Sequence, residues 1–283
     1  MNDLILNDSD WQTELISYCN RYNIPVEYLA EIINEPKVIP MIRGKAFEFS
    51  VMIKLRNILS TDEWTVDKPW MNAQSGSHDI DILVSHKQTG INIRIECKLA
   101  AKDSYKYNQS TEQSEIRVKC MRSRTLGTNE AITRARILDI PEQAMIEHKD
   151  QYLPRDFDIV ATSIGNSFYK TNRETGIFEW CPNTRGTRFL NMIREESCET
   201  YDSLQEFAYN RMYIAMSTNI AANENNEIIC TRRNCESPNN CGFIPNYPVM
   251  MFDNHGNSTN AWFPIENASE IFINFVNEQV TRS

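Results

Sequence analysis

At 283 residues the chain is too long for a disulfide-stapled miniprotein and long enough to bury a sizeable core, so a single elaborated domain is expected. Hydrophobic residues at 41% and charged residues at 24% exclude global disorder, and no apolar run reaches the roughly 18 residues of a membrane helix. The net charge of −9, from 29 basic and 38 acidic residues, excludes a broadly basic nucleic-acid-coating protein but not a localised DNA site.

In chain order, residues 9–21 predict a helix, with Ser9 and Gln12 at capping-box spacing and Trp11, Leu15, Ile16 and Cys19 as its apolar stripe. A short helix follows Pro25 and ends before Pro36, and a longer one runs from about Arg43 to Leu59. Residues 79–84 and 91–98 predict two strands around a turn at Gly90. Helical and loop signals alternate over 99–150. Strands are expected at Phe157 to Ile164, Phe168 to Lys170 and Ile177 to Trp180, a helix over 199–221, loops from Asn223 to Asn260, and a last helix from Ser269 to Val280. Mixed helices and strands imply an α/β (α+β) class. The N-terminus has no secretory signal, so a soluble, cytoplasmic chain without membrane contact is expected. The eight cysteines are then expected as free thiols.

The strand from Ile91 to Lys98 puts Ile91, Ile93, Ile95 and Cys97 on one face and Asn92, Arg94, Glu96 and Lys98 on the other. In the preceding strand, Asp79, Asp81 and Leu83 share a face. A six-residue hairpin loop would pair Val84 with Ile91, Asp81 with Arg94 and Asp79 with Glu96, so the acids and Lys98 line one face. A two-residue stagger keeps that arrangement, whereas a one-residue slip destroys it. Clustered carboxylates repel unless a cation lies between them, and hard oxygen donors suit Mg²⁺. A lysine beside such a metal suits phosphodiester hydrolysis. On the helix before them, Glu48 falls in the middle of an apolar arc with Val51, Met52, Leu55, Ile58 and Leu59. A buried acid there needs a metal or a partner such as Arg94 or Lys98.

Gly44-Lys-Ala-Phe-Glu48, Gly76-Ser-His-Asp-Ile-Asp81 and Ile95-Glu-Cys-Lys98 together resemble the PD-(D/E)XK nuclease superfamily, most nearly a type II restriction endonuclease. The resemblance spans about residues 43–100, with Ile80 where the pattern's Pro would stand. It implies a mixed central sheet flanked by helices, a catalytic core at about 41–182 with 183–283 accessory to it, and Mg²⁺-dependent cleavage of double-stranded DNA by a homodimer. It assigns catalysis to Asp81, Glu96, Lys98 and Glu48, with Asp81 and Glu96 as metal acids. Asp79 is a further candidate metal ligand. A repair or junction nuclease of the same superfamily is the competing enzyme.

Between Lys98 and Arg136, nine Lys/Arg stand against four acids. In this basic island Arg117, Lys119, Arg122, Arg124, Arg134 and Arg136 are candidates to contact DNA. A non-catalytic DNA-binding module is also open: Cys230, Cys235 and Cys241, with Cys181 or His255, could hold structural zinc instead of standing as free thiols. His78 and His86 are expected in loops, His148 on a helix face, and Trp262 at the edge of the core.

Overall fold

A tight hairpin around Gly90 is the centre of the fold, described for residues 8–69, 80–122, 125–196 and 200–282 in a computed structural model. The chain forms two compact units, Met1–Lys45 and Ala46–Ser283. The first contains α1 (Asp8–Arg21) and α2 (Leu29–Ile33); α3 (Ile39–Ile58) begins there and continues into the second. Pro40 sits in the first turn of α3, where its missing N–H costs nothing. In α1 only Cys19 of the expected stripe is buried; Trp11, Leu15 and Ile16 are exposed.

The second unit continues with an antiparallel meander of β1 (Trp64–Asp67), β2 (Ile82–His86) and β3 (Asn92–Cys97). Then come β4 (Lys106–Asn108), β5 (Gln113–Arg117), α4 (Thr128–Leu138), α5 (Glu142–Glu147) and β6 (Ile159–Ser163), which pairs parallel to β3. The hairpin of β7 (Tyr169–Thr171) and β8 (Phe178–Trp180), α6 (Thr184–Glu195), α7 (Leu204–Asn210), β9 (Met212–Met216), β10 (Val249–Phe252), β11 (Phe263–Pro264) and α8 (Ala268–Arg282) complete it. The central mixed sheet has the order β1-β2-β3-β6-β9-β11, and a smaller one the order β10-β5-β4.

Both faces of the central sheet are covered. Ile82, Val84, Ile93, Ile95 and Ile214 form a core with Phe47, Val51 and Leu55 of α3 and Phe272 and Val276 of α8. On the other face Val160, Tyr213 and Ala215 pack with Ile116, Met250 and Phe252 of the small sheet and with Phe189 and Leu190 of α6. Trp262 is fully buried in this second core.

Three expectations change. First, the hairpin register is Ser85 to Asn92, Leu83 to Arg94 and Ile82 to Ile95, two residues from the predicted pairing. β2 runs on to His86, whose N–H donates to Ile91 O at 2.9 Å, and Gly90 takes the positive φ of 70° that closes the turn. β1 supports this extension: Trp64 pairs with His86, and their rings lie 4.8 Å apart. His86 is therefore buried, not exposed in the turn.

Second, residues 199–221 do not form one helix: the described part holds α7 and then strand β9. Met212-Tyr-Ile-Ala-Met216 is apolar throughout because both faces of β9 are covered, and such a run lacks the alternation that marks a strand. Third, residues 183–283 are not simply accessory, since β9 and β11 complete the central sheet. Among the described residues no helix is long and apolar enough to cross a membrane.

Candidate active site

The carboxylates gather where β2 begins and β3 ends. Continuing the observed ladder by one residue sets Asp81 across from Glu96, so the two-residue shift brings Asp81, rather than Asp79, to that position. The Cys97 N–H donates to Asp81 Oδ2 at 2.8 Å and fixes the carboxylate against β3. Glu96 lies on the sheet face of its parallel neighbour Val160, and Glu48 enters from α3, which packs on the opposite face. Glu48, Asp81 and Glu96 are exposed by only 7%, 9% and 6%. They do not form the solvated outer face of an amphipathic strand.

Burial raises the Asp81 carboxyl to about 7, and the charges of Glu96 and then Glu48 push it the same way. The Cys97 N–H and Lys98 oppose them and are outweighed. Lys98 Nζ lies 2.6 Å from Glu96 Oε1. Burial alone would lower the Lys98 ammonium, but the charges of Glu96, Tyr152 and Asp81 and the hydrogen bond to Glu96 overcome it and hold the pKa above its ordinary value. Lys98 is thus a fixed positive charge beside the acids.

Two residues of this cluster carry no motif in the sequence. Tyr152, five residues past the end of α5, donates its hydroxyl to Glu96 Oε1 at 2.9 Å, and Lys98 Nζ lies 5.3 Å from its ring centroid. Lys68, just after β1, pairs with Glu48 Oε2 and donates to Asp81 O at 3.3 Å. Glu48 therefore has Lys68 as an ion-pair partner, while Arg94 is committed to Asp158, with Nη2–Oδ1 at 2.9 Å and Nε–Oδ2 at 3.1 Å. A lysine directly following an edge strand is the one available sequence cue; Tyr152 had none.

The donors fit a hard divalent cation. Asp81 and Glu96 offer carboxylate oxygens in a buried setting with excess negative charge, and each has one oxygen already oriented by a hydrogen bond, which leaves the second for coordination. Asp79, His78 and Arg124 lie outside the described residues.

The basic island divides. Arg117 and Lys119 are exposed, on alternate positions that point away from buried Ile116 and Val118. Arg136 is exposed and pairs with Glu142 at 2.8 Å. Arg122 is not a surface phosphate contact: it is 8% exposed, its Nη2 is 2.6 Å from Asp156 Oδ2, and its Nε donates to Gln151 O at 3.0 Å. Arg134, half-buried, takes the other Asp156 oxygen. Both arginines turn inward because Asp156 is buried and needs compensating charge. A separate open cleft of about 620 Å³, lined by Thr184, Thr187, Arg188, Asn191 and Glu195, runs along α6 and includes none of Glu48, Asp81, Glu96 and Lys98.

No family model matches the chain, and no curated protein sequence and no solved structure matches it significantly.

Proposed function

We propose that the chain is a Mg²⁺-dependent endodeoxyribonuclease of the type II restriction kind, hydrolysing phosphodiesters of double-stranded DNA at a specific short sequence in the cytoplasm. The supporting observation is the convergence of Asp81, Glu96, Lys98 and Glu48 at one end of a mixed sheet, with burial and neighbouring carboxylates driving Asp81 up to about 7. Asp81 and Glu96 would hold the Mg²⁺, with Asp79 as a further candidate acid. When bound, Mg²⁺ supplies Lewis-acid polarisation of a phosphoryl oxygen and lowers the pKa of a coordinated water.

The chain's own residues supply the rest. Lys98, protonated at Nζ, sets positive charge against the negative charge that builds at phosphorus. Tyr152 holds Glu96 in one orientation, and Lys68 does the same for Glu48. Arg117 and Lys119, with Arg136, are exposed and would meet backbone phosphates. One such site cuts one strand, so a homodimer with its two-fold axis on that of a palindromic duplex would cut both.

The test is incubation of plasmid and phage DNA with the protein and Mg²⁺, followed by electrophoresis. Discrete fragments are expected. Cutting confined to branched or damaged DNA would assign a repair or junction nuclease instead, and no cutting with Mg²⁺ or Mn²⁺ would overturn the proposal.

A further inference from the structure

A second constellation lies apart from the acids and is chemically unlike them. His148, Cys230, Cys235 and Cys241 bring one imidazole nitrogen and three sulfurs within 4.8 Å of one another. Cys181, exposed after β8, and His255, exposed in the Asp253 turn, are not part of the group. His148 is not on an open helix face but caps the end of α5, 2% exposed and stacked on Phe243 with centroids 4.3 Å apart.

We propose that these four side chains bind a structural zinc ion. The spacing fits: metal–sulfur bonds of about 2.3 Å and metal–nitrogen bonds of about 2.0–2.1 Å at tetrahedral angles put S···S near 3.8 Å and S···N near 3.5 Å. Cys230 Sγ lies 3.5 Å from His148 Nε2, and the full set closes onto an ion by movements of about an ångström or less. The imidazole is already oriented for it: Nδ1 lies 2.7 Å from Ala144 O, which places the ring proton there and turns the Nε2 lone pair towards the sulfurs. Soft thiolates with an imidazole select zinc and reject the hard Mg²⁺ that suits the carboxylates. Zinc loading releases the three thiol protons, keeps His148 neutral, and leaves a centre of net charge −1.

The segment bearing the cysteines also needs such a clamp. Between the short turn at Glu224–Asn226 and β10 it has no helix and no ladder strand. Backbone bonds tie Gly242 and Phe243 to Ala222, and side-chain anchors reach the end of α5 and the residues after it: Arg232 pairs with Asp150, and Asn234 Nδ2 donates to Glu147 Oε2 at 3.4 Å. Three residues beyond Cys241, the Ile244 N–H donates to Tyr152 O at 2.8 Å. The ion would thus fasten the loop to the segment that carries Tyr152. The donor set stands without the nuclease reading, and the test uses no cleavage assay.

Full-length protein, purified under reducing conditions without a metal-affinity tag or chelator, should carry about one zinc per chain by elemental mass spectrometry. Replacing the metal with Co²⁺ should give the intense visible bands and thiolate charge transfer of tetrahedral cobalt. Cys235→Ser and His148→Ala should lower zinc content at least about fivefold, whereas Cys181→Ser and His255→Ala should leave it unchanged. Cys235→His, which keeps four donors, should retain cobalt with shifted bands even if Cys235→Ser fails to fold. Folded wild-type protein without zinc that gives no tetrahedral cobalt spectrum would overturn the proposal, as would full zinc retention in Cys235→Ser.

Discussion

Tyr152 donates its hydroxyl to Oε1 of Glu96, the same oxygen that Lys98 Nζ approaches at 2.6 Å. One carboxylate oxygen thus serves two donors from the protein, and the other would hold the proposed cation. Tyr152→Phe should leave the fold within about 1–2 kcal/mol of wild type and lower cleavage about 10–100-fold, with weaker Mg²⁺ dependence. Single-turnover rates across a Mg²⁺ titration measure this, and an unchanged profile would remove Tyr152 from the site.

Glu96→Ala and Lys98→Ala should each reduce cleavage by about 10³-fold or more while DNA affinity, read by fluorescence anisotropy, stays near wild type. The separation follows from burial: Glu96 is buried and Lys98 partly buried, whereas Arg117 and Lys119 are exposed. Cleavage within about tenfold of wild type for either variant would refute the assignment of chemistry to this end of the sheet.

Asp81 gives the pH dependence. Its folded pKa, about 7, lies above the ordinary value of 3.8, so between those values the native state holds a proton that the unfolded state has lost. In metal-free protein this group's contribution to stability is therefore fully present below about pH 4 and lost as pH rises through 7. Mg²⁺ bound at the proposed site would reverse the loss by favouring the ionised form. The thermal shift produced by Mg²⁺ should be small at pH 5.5, large at pH 8, and absent at both in Asp81→Asn. An equal shift at the two pH values would place the cation elsewhere.

Asp156 separates the arginines turned inward from the exposed ones. Asp156→Asn leaves buried Arg122 with uncompensated charge and removes the partner of half-buried Arg134, and should destabilise the protein by about 3–5 kcal/mol in urea unfolding. Neutralising Arg117 and Lys119 should leave stability within about 0.5 kcal/mol but weaken DNA binding and flatten its salt dependence. If Arg122→Ala changed only the salt slope, the inward reading of that residue would fail.

Period-two alternation in 91–98 and the Glu48 arc of α3 were readable because each has one strongly apolar side that meets the same core. The turn was harder: register depends on how far β2 extends, and that is set by Trp64 of β1, a neighbour the local pattern of 79–98 does not contain. The parity rule survived the two-residue shift, which is why Asp81 and Glu96 still meet. Strand β9 was hidden because burial on both sides erases alternation. Lys68, Tyr152 and His148 reach their partners by long-range packing, and composition gives no cue for which isolated polar residue will be folded inward. The charge count across 98–136 likewise could not separate Arg117, which stays outside, from Arg122, which Asp156 draws in.

The sheet order β3-β6-β9-β11 carries one further consequence. β6 pairs with β3 on one side and with β9 on the other, and β9 lies more than forty residues downstream. A fragment ending at residue 182 would keep every acid of the cluster yet expose the apolar edge of β6 as an unpaired hydrogen-bonding ladder open to other chains. It should emerge insoluble rather than as a small, non-specific nuclease. Residues 183–283 cannot then be exchanged like a cassette to change what the proposed nuclease would read: any replacement must also bring a strand that zips onto β6 in the register Ile159 to Met216.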